Sequence, residues 1–400
     1  GLISYMFASR TNWNLTANRL SQSLDRIRAS GEKLLDLTAS NPTECGFRYD
    51  GNSILKAFIN PGALKYHPHP HGLASARQAV CEYYTAHGNK IVPESLFLTT
   101  STSEAYAFSF RLLCNAGDEL LIPTPSYPLF DFLADIQDVK LVRYPLFFDH
   151  GWQIDLHALE QSITPRTRGI IVVHPNNPTG HFTKPAEMAE LNRICSAHDL
   201  VIIADEVFLD FGFNPAKPAS FAGNRQVLTF TLSGLSKISG LPQMKLAWLA
   251  VSGPEHGKKE ALARLEVIAD TYLSVSTPVQ LAAPALLGQR DSFQRQIAGR
   301  VKHNLAELDV QLAEQKHCNR LTVEGGWYAV LRVPALRSDE DLAVELLEQR
   351  NVYVHPGHFF DFPSQGYIVI SLITPEQEFE EGISEIMEFT AEACTASGKS

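Results

Sequence analysis

The stretch TLSGLSK, residues 231–237, completes a strand-like run, LTFTL (228–232), and delivers Ser236 and Lys237 directly after it. A second lysine, Lys245, follows eight residues later in KISGLPQMK. Outward from this point, the runs LLIP (120–123), IIVV (170–173) and LVIIAD (200–205) alternate with helical patterns at 103–115 and 185–198. Continuous apolar strands separated by helices are the pattern of crossover units around a buried parallel sheet. Residues from about 90 to 250 are therefore read as an α/β unit.

The flanks read differently. Residues 254–316 carry long helical patterns, after which GGWYAVLRV (325–333), VYVHP (352–356) and YIVISLI (367–373) predict a small sheet with helices at 338–349 and 375–393. A smaller α+β unit follows from that. Near the start, Leu20, Leu24 and Ile27 recur at helical spacing behind a cap at Thr16, predicting an amphipathic helix over 17–30.

With 400 residues, 44% of them hydrophobic and 20% charged, the chain can build more than one core. A formal net charge of −10 and the lack of a basic run speak against nucleic acid as a partner. The six cysteines (45, 81, 114, 195, 318 and 394) show no CxxC spacing, which argues against a zinc cluster or a disulfide framework and fits a reducing cytoplasm. No apolar stretch approaches the ~18 residues of a membrane span, and GLISYMF is too short and uncharged for a signal peptide.

Open α/β sheets bind ligands at the carboxyl ends of their strands. Asp205 ends LVIIAD at that edge, where it either caps the next turn or holds a ligand cation. HPNNPTG (174–180) follows IIVV at the same edge; its Asn-Pro-Gly content suits a turn, and Asn176 can donate to a ligand oxygen. Tyr127, in TPSYPLF (124–130), reads as a core aromatic or as a ring that stacks on a ligand. In TSTSEA (100–105), Ser101, Thr102 and Ser103 precede a helix, where hydroxyls cap the helix and free N–H groups favour an anion. Lys237 reads as a solvated surface residue or as a desolvated nucleophile, with Lys245 and Ser236 as phosphate partners. KYHPHPHG (65–72) invites a metal reading, but alternate prolines prevent a helix and no acid or cysteine lies close in sequence.

The ordered set, Tyr66 with GLASARQAVCEYY (72–84), then TSTSEA, NAGDELLIPTPSYPLF (115–130), HPNNPTG, ADEV (204–207), SGLSK (233–237) and VHPGHFF (354–360), resembles fold-type I pyridoxal-phosphate enzymes of the aspartate-aminotransferase-like superfamily. The resemblance spans nearly the whole chain. It implies a mainly parallel, seven-stranded type of sheet with helices on both faces in a large unit over 49–294, and a small α+β unit over 1–48 and 295–400. It also implies an aminotransferase with pyridoxal 5'-phosphate as cofactor, an amino donor and a keto-acid acceptor as substrates, and a homodimer with shared active sites. By similarity, Lys237 forms the Schiff base and shuttles the proton, Asp205 pairs with the pyridine nitrogen and Asn176 binds the ring hydroxyl. Ser101, Thr102, Ser103, Ser236 and Lys245 hold the phosphate, Tyr127 stacks on the ring, and Tyr66 reaches the phosphate of the neighbouring subunit.

Three departures stand against this pattern. Phe208 replaces the usual tyrosine, removing a donor to the ring oxygen; Lys245 replaces a common arginine, keeping charge but losing the bidentate fork. Within GYIVISL (366–372), Val369 stands where an arginine usually grips the substrate α-carboxylate, and Ile368 and Ile370 are equally apolar. Either another cation, such as Arg10, Arg48 or Arg143, makes that contact, or the substrate presents no carboxylate there. The alternatives to transamination are a lyase, decarboxylase or cyclase reaction on the same cofactor, and a non-catalytic homologue that binds it.

Overall fold

A computed structural model describes residues 6–127, 130–215 and 218–398. A two-residue strand, β1 (Leu35–Asp36), precedes the large sheet. The strands of that sheet are β2 (Leu96–Thr99), β3 (Glu119–Thr124), β4 (Lys140–Phe148), β5 (Trp152–Ile154), β6 (Thr167–Val173), β7 (Val201–Asp205), β8 (Thr229–Gly234) and β9 (Ala247–Ser252). Their spatial order is β2-β9-β8-β7-β6-β3-β4-β5. The run from β8 to β4 is parallel, while β9 lies antiparallel between β2 and β8.

The expected sheet is thus present with one strand more. β5 joins the edge through a hairpin in which His150 and Gly151 take positive φ (54° and 155°), and it pairs antiparallel with β4. A three-residue strand carries too little periodicity to be read from sequence.

Alternation along the central strands explains why helices cover both faces. Leu121, Ile170, Val172, Ile202 and Ala204 pack on one face with Leu191 and Ile194 of the helix Pro185–His198. Leu120, Ile122, Ile171, Val173 and Ile203 pack on the other with the helices Thr102–Leu113 and Glu255–Tyr272. Period-two strands with both sides apolar need exactly such double cover, because either face left open would expose a continuous apolar surface.

The smaller sheet contains β10 (Asn319–Arg320), β11 (Tyr328–Arg332), β13 (His355–Pro356) and β14 (Tyr367–Ser371), while β12 (Val352–Tyr353) pairs with β1. One apolar cluster joins Leu20, Leu24 and Ile27 to Ile297, Leu308, Leu342, Ile370, Phe379 and Ile383. The N-terminal segment and the C-terminal third therefore share a core. The helix contributing the first three residues spans Arg19–Ser30, and its cap is Asn18, not Thr16: the Asn18 side chain accepts from the Ser21 N–H at 2.7 Å. At its other end Gly31 supplies the left-handed residue (φ 73°) that stops the helix.

All six cysteines are unpaired; five are buried and Cys114 is partly exposed. Burial pushes the Cys45 thiol up to about 11 and the Cys114 and Cys195 thiols up to about 12.

Candidate active site

β7 carries Asp205 to its carboxyl end, where the carboxylate is buried. Tyr106, on the helix Thr102–Leu113, donates to it at 2.7 Å, and the Val207 N–H donates at 3.2 Å. Burial raises the pKa of Asp205; Tyr106, Val207 and the charge of Lys237 pull it back. One strand over, β8 ends at Gly234 and the chain turns through Leu235–Ile238. A Cβ at Gly234 would meet Cβ of Ala247 at 2.7 Å, so glycine is what lets β8 and β9 close up beneath the lysine.

Lys237 emerges from that turn into an apolar enclosure, with Nζ 5.8 Å from the Phe208 ring centroid and 5.5 Å from that of Trp327. Burial lowers its pKa and Asp205 opposes the shift. Desolvation disfavours the ammonium, which is the condition for a lysine that has to act as a neutral nucleophile or carry a proton.

A cleft of about 430 Å³ opens over these residues. Of the residues expected from sequence, it collects Thr102, Ser103, Tyr127, Asp205, Ser236 and Lys237. Four others lie elsewhere. Ser101 spends its hydroxyl on the cap, accepting from the Glu104 N–H at 3.1 Å. Asn176 is buried with its amide donating to the Pro125 carbonyl (3.1 Å) and to Thr179 (2.9 Å), and it does not line the cleft. Lys245 takes a left-handed conformation (φ 54°) on the surface outside the cleft, and Tyr66 is 75% exposed.

Asn177, one residue on, does line the cleft, and its Oδ1 is buried without a partner. The turn that presents it is held by Gly180 (φ 72°), where a Cβ would meet the Gly325 carbonyl at 2.5 Å. The doublet of asparagines marks the segment, but which member faces inward depends on a one-residue register that the sequence does not carry. The opposite wall was given no role from sequence, although three of its residues lie in VHPGHFF (354–360). It consists of Thr38 and Ser40 from the N-terminal segment, Tyr328 from β11, His355 from β13, and Phe359 and Phe360. Tyr328 hydrogen-bonds Ser40, and the Ser126 N–H fixes the Phe360 carbonyl at 2.8 Å.

The residues present suit pyridoxal phosphate. A desolvated amine and a buried carboxylate line one cleft, Asn177 presents a buried amide oxygen without a partner to it, and the hydroxyls of Thr102 and Ser103 stand at the start of a 12-residue helix whose dipole favours a phosphate, with the Ser236 hydroxyl in the same lining.

Other sites compete less well. A larger groove of about 910 Å³ is lined by Phe182, Met188, Asn192 and Arg193, but its charges are satisfied by Lys184–Glu324 (2.6 Å) and Arg193–Glu160 (3.0 Å) pairs. In the histidine-proline segment, His71 stacks on Phe97 (4.0 Å between centroids) and sits 2.9 Å from the Leu96 carbonyl. Among the described residues, no group of three or more His, Cys, Asp or Glu side chains is placed to hold a metal.

Comparison with known proteins agrees with this geometry. The model of the family "Aminotransferase class I and II" matches residues 32–386. A glutamate-pyruvate aminotransferase of Escherichia coli is 28% identical over 372 residues, covering 91% of this chain and 92% of the relative. An alanine aminotransferase of Mycobacterium bovis is 27% identical over 381 residues, covering 91% and 87%. The crystal structure of an aminotransferase from Escherichia coli superposes with a TM-score of 0.85 at 26% identity, over 96% of this chain and 98% of the other. With the match extending over most of its length, the chain belongs to the class I and II aminotransferases, and its fold is that of the fold-type I pyridoxal-phosphate enzymes.

Proposed function

We propose that Lys237 is the reactive amine of a pyridoxal-phosphate-dependent aminotransferase that takes an amino group from a donor and passes it to a carbonyl acceptor. The single observation that carries this reading is the cleft in which a desolvated lysine and a buried carboxylate face each other at the carboxyl edge of a parallel sheet. Bound there, the cofactor supplies an aldehyde for the lysine and a ring that withdraws electrons from the substrate carbon.

The protein's own part is to hold and to move protons. Asp205, whose carboxylate form is favoured by the Tyr106 hydroxyl and the Val207 N–H against the effect of burial, would pair with the ring nitrogen of the bound cofactor. As a neutral amine, Lys237 would carry the proton between the substrate carbon and the neighbouring position, and its apolar surroundings of Phe208 and Trp327 exclude water from that amine. Thr102, Ser103 and Ser236 would bind the phosphate, with Ser101 contributing through the cap that fixes the helix start, and Tyr127 would stack on the ring. Asn177 would take the ring-hydroxyl role first expected of Asn176, supported by its place in the cleft lining. Lys245 adds positive charge near the phosphate from outside the lining.

The active unit is a homodimer. Tyr66 lies on a segment that leaves Leu55 (68%), Ile59 (82%) and Leu64 (91%) exposed, an apolar surface suited to a second copy, to whose phosphate Tyr66 would reach. The unpaired cysteines support a cytoplasmic location, and the clusters support a large unit over 49–294 with 1–48 and 295–400 in the smaller one. No described helix is long and apolar enough to cross a membrane.

Borohydride reduction of the holoenzyme followed by peptide mapping tests the assignment. The cofactor mass is expected on Lys237, together with stoichiometric release of a carbonyl product when an amino donor is added without an acceptor. Release of ammonia or carbon dioxide in place of that product would sink the reading in favour of a lyase or decarboxylase.

A further inference from the structure

The facing wall of the cleft is where charge is missing. Among the described residues lining the cleft, Lys237 is the only Lys or Arg. The other candidates for gripping a carboxylate are engaged or distant. Arg10 pairs with Asp138 at 2.9 Å, Arg143 with Asp131 and Asp361 at 2.8 Å each, and Arg48 is exposed outside the lining.

The strand register shows what occupies the place of the usual arginine. β14 sets Val369 opposite Val330 on one side and opposite His355 on the other. Val369 is buried in the apolar cluster with Phe360 and Phe362 and does not line the cleft, whereas His355, its cross-strand neighbour on the same face, does. Burial lowers the His355 pKa from its ordinary value, and the charge of Asp36 opposes the shift. Its ring neighbours are Tyr353 at 5.5 Å, Phe359 at 5.8 Å and Phe360 at 5.9 Å. A neutral imidazole in that place offers a ligand one donor and one acceptor.

A carboxylate brought against this wall loses its water and gains no cation from it. A hydroxyl or an amide at the same place loses less and regains a neutral hydrogen bond. We infer that the preferred amino donor is a primary amine with an apolar or aromatic body whose polar group beside the amine-bearing carbon is uncharged, and that His355 reads that group. This inference rests on the aminotransferase reading of Lys237.

Three donors sharing one benzyl body separate the possibilities: L-phenylalaninol, 2-phenylethylamine and L-phenylalanine, with L-alanine and L-glutamate alongside. The rate of carbonyl release by the holoenzyme, divided by donor concentration, is expected to be about tenfold or more higher for L-phenylalaninol than for L-phenylalanine. The phenylalaninol-to-phenylethylamine ratio is expected to fall about tenfold in His355→Ala and to be largely kept in His355→Gln, which retains a donor and an acceptor. A wild-type preference for L-phenylalanine, L-alanine or L-glutamate overturns the inference and leaves the aminotransferase reading standing. An unchanged ratio in His355→Ala removes His355 from the proposal. Absence of amino transfer from every donor overturns both.

Discussion

The floor of the cleft, built on the ends of β7 and β8, buries an amine and a carboxylate, whereas the facing wall, built from Ser40, Tyr328, His355 and Phe359, carries only hydroxyls and rings. The floor is made by neighbouring strands of one sheet. The wall is assembled from segments more than 300 residues apart, tied by the Leu37 N–H to the Tyr353 carbonyl (2.9 Å) and the Ser371 hydroxyl to the Ala39 carbonyl (2.6 Å). On the proposed reading bond-making belongs to the floor, where an amine and a carboxylate are both desolvated. Choice of substrate belongs to the wall, where nothing constrains the residue types except what must be recognised.

Substitutions can break this contrast. Lys237→Ala is expected to have the largest effect, a loss of kcat/KM of at least ~10³-fold, with no cofactor retained after borohydride. Residual turnover near wild type would dissolve the distinction between floor and wall. Asp205→Asn keeps the shape and removes the charge; steady-state assays are expected to find kcat lower by about 10²–10³-fold.

The adjacent asparagines offer a sharper test. Asn176→Ala strands the Pro125 carbonyl and Thr179, so a loss of stability of about 1–3 kcal/mol is expected in denaturant titrations. Asn177→Ala is expected to leave stability nearly unchanged and to weaken cofactor retention about tenfold, read by dialysis. The reverse outcome would return the cofactor contact to Asn176. Smallest of all is Tyr106→Phe. The tyrosine donates to Asp205 and lowers its pKa, so without it the folded-state pKa rises and the acidic limb of the pH–rate profile moves to higher pH. A limb that stays in place would mean that Asp205 does not govern it.

What the sequence revealed follows the same division. Asp205 could be placed at the cleft from sequence because it ends the apolar run LVIIAD, and Lys237 because it follows the strand LTFTL closely; a strand end in a parallel sheet is already an address. Asn177 was missed because alternation along a turn has no fixed period. His355 was read within the strand VYVHP and the motif VHPGHFF but given no role, since no local pattern says that residues 38–40 will come to lie beside it. The strands β2 and β9 also went unread: one has four residues, and their antiparallel pairing closes across about 150 residues of chain, a tertiary fact that no window of sequence contains.

The unpaired cysteines have a use beyond their chemistry. Cys45 and Cys318 lie in the core shared by the two ends of the chain, Cys81 in the core around Trp248, and Cys195 beneath the large sheet. Buried and protonated in the native protein, they are hidden from alkylating reagents and become reactive only as the packing around each one opens. The order in which they take up label during gradual denaturation, read by mass spectrometry, would time the loss of each core separately. The chain thus carries a built-in set of clocks for watching its own parts come apart.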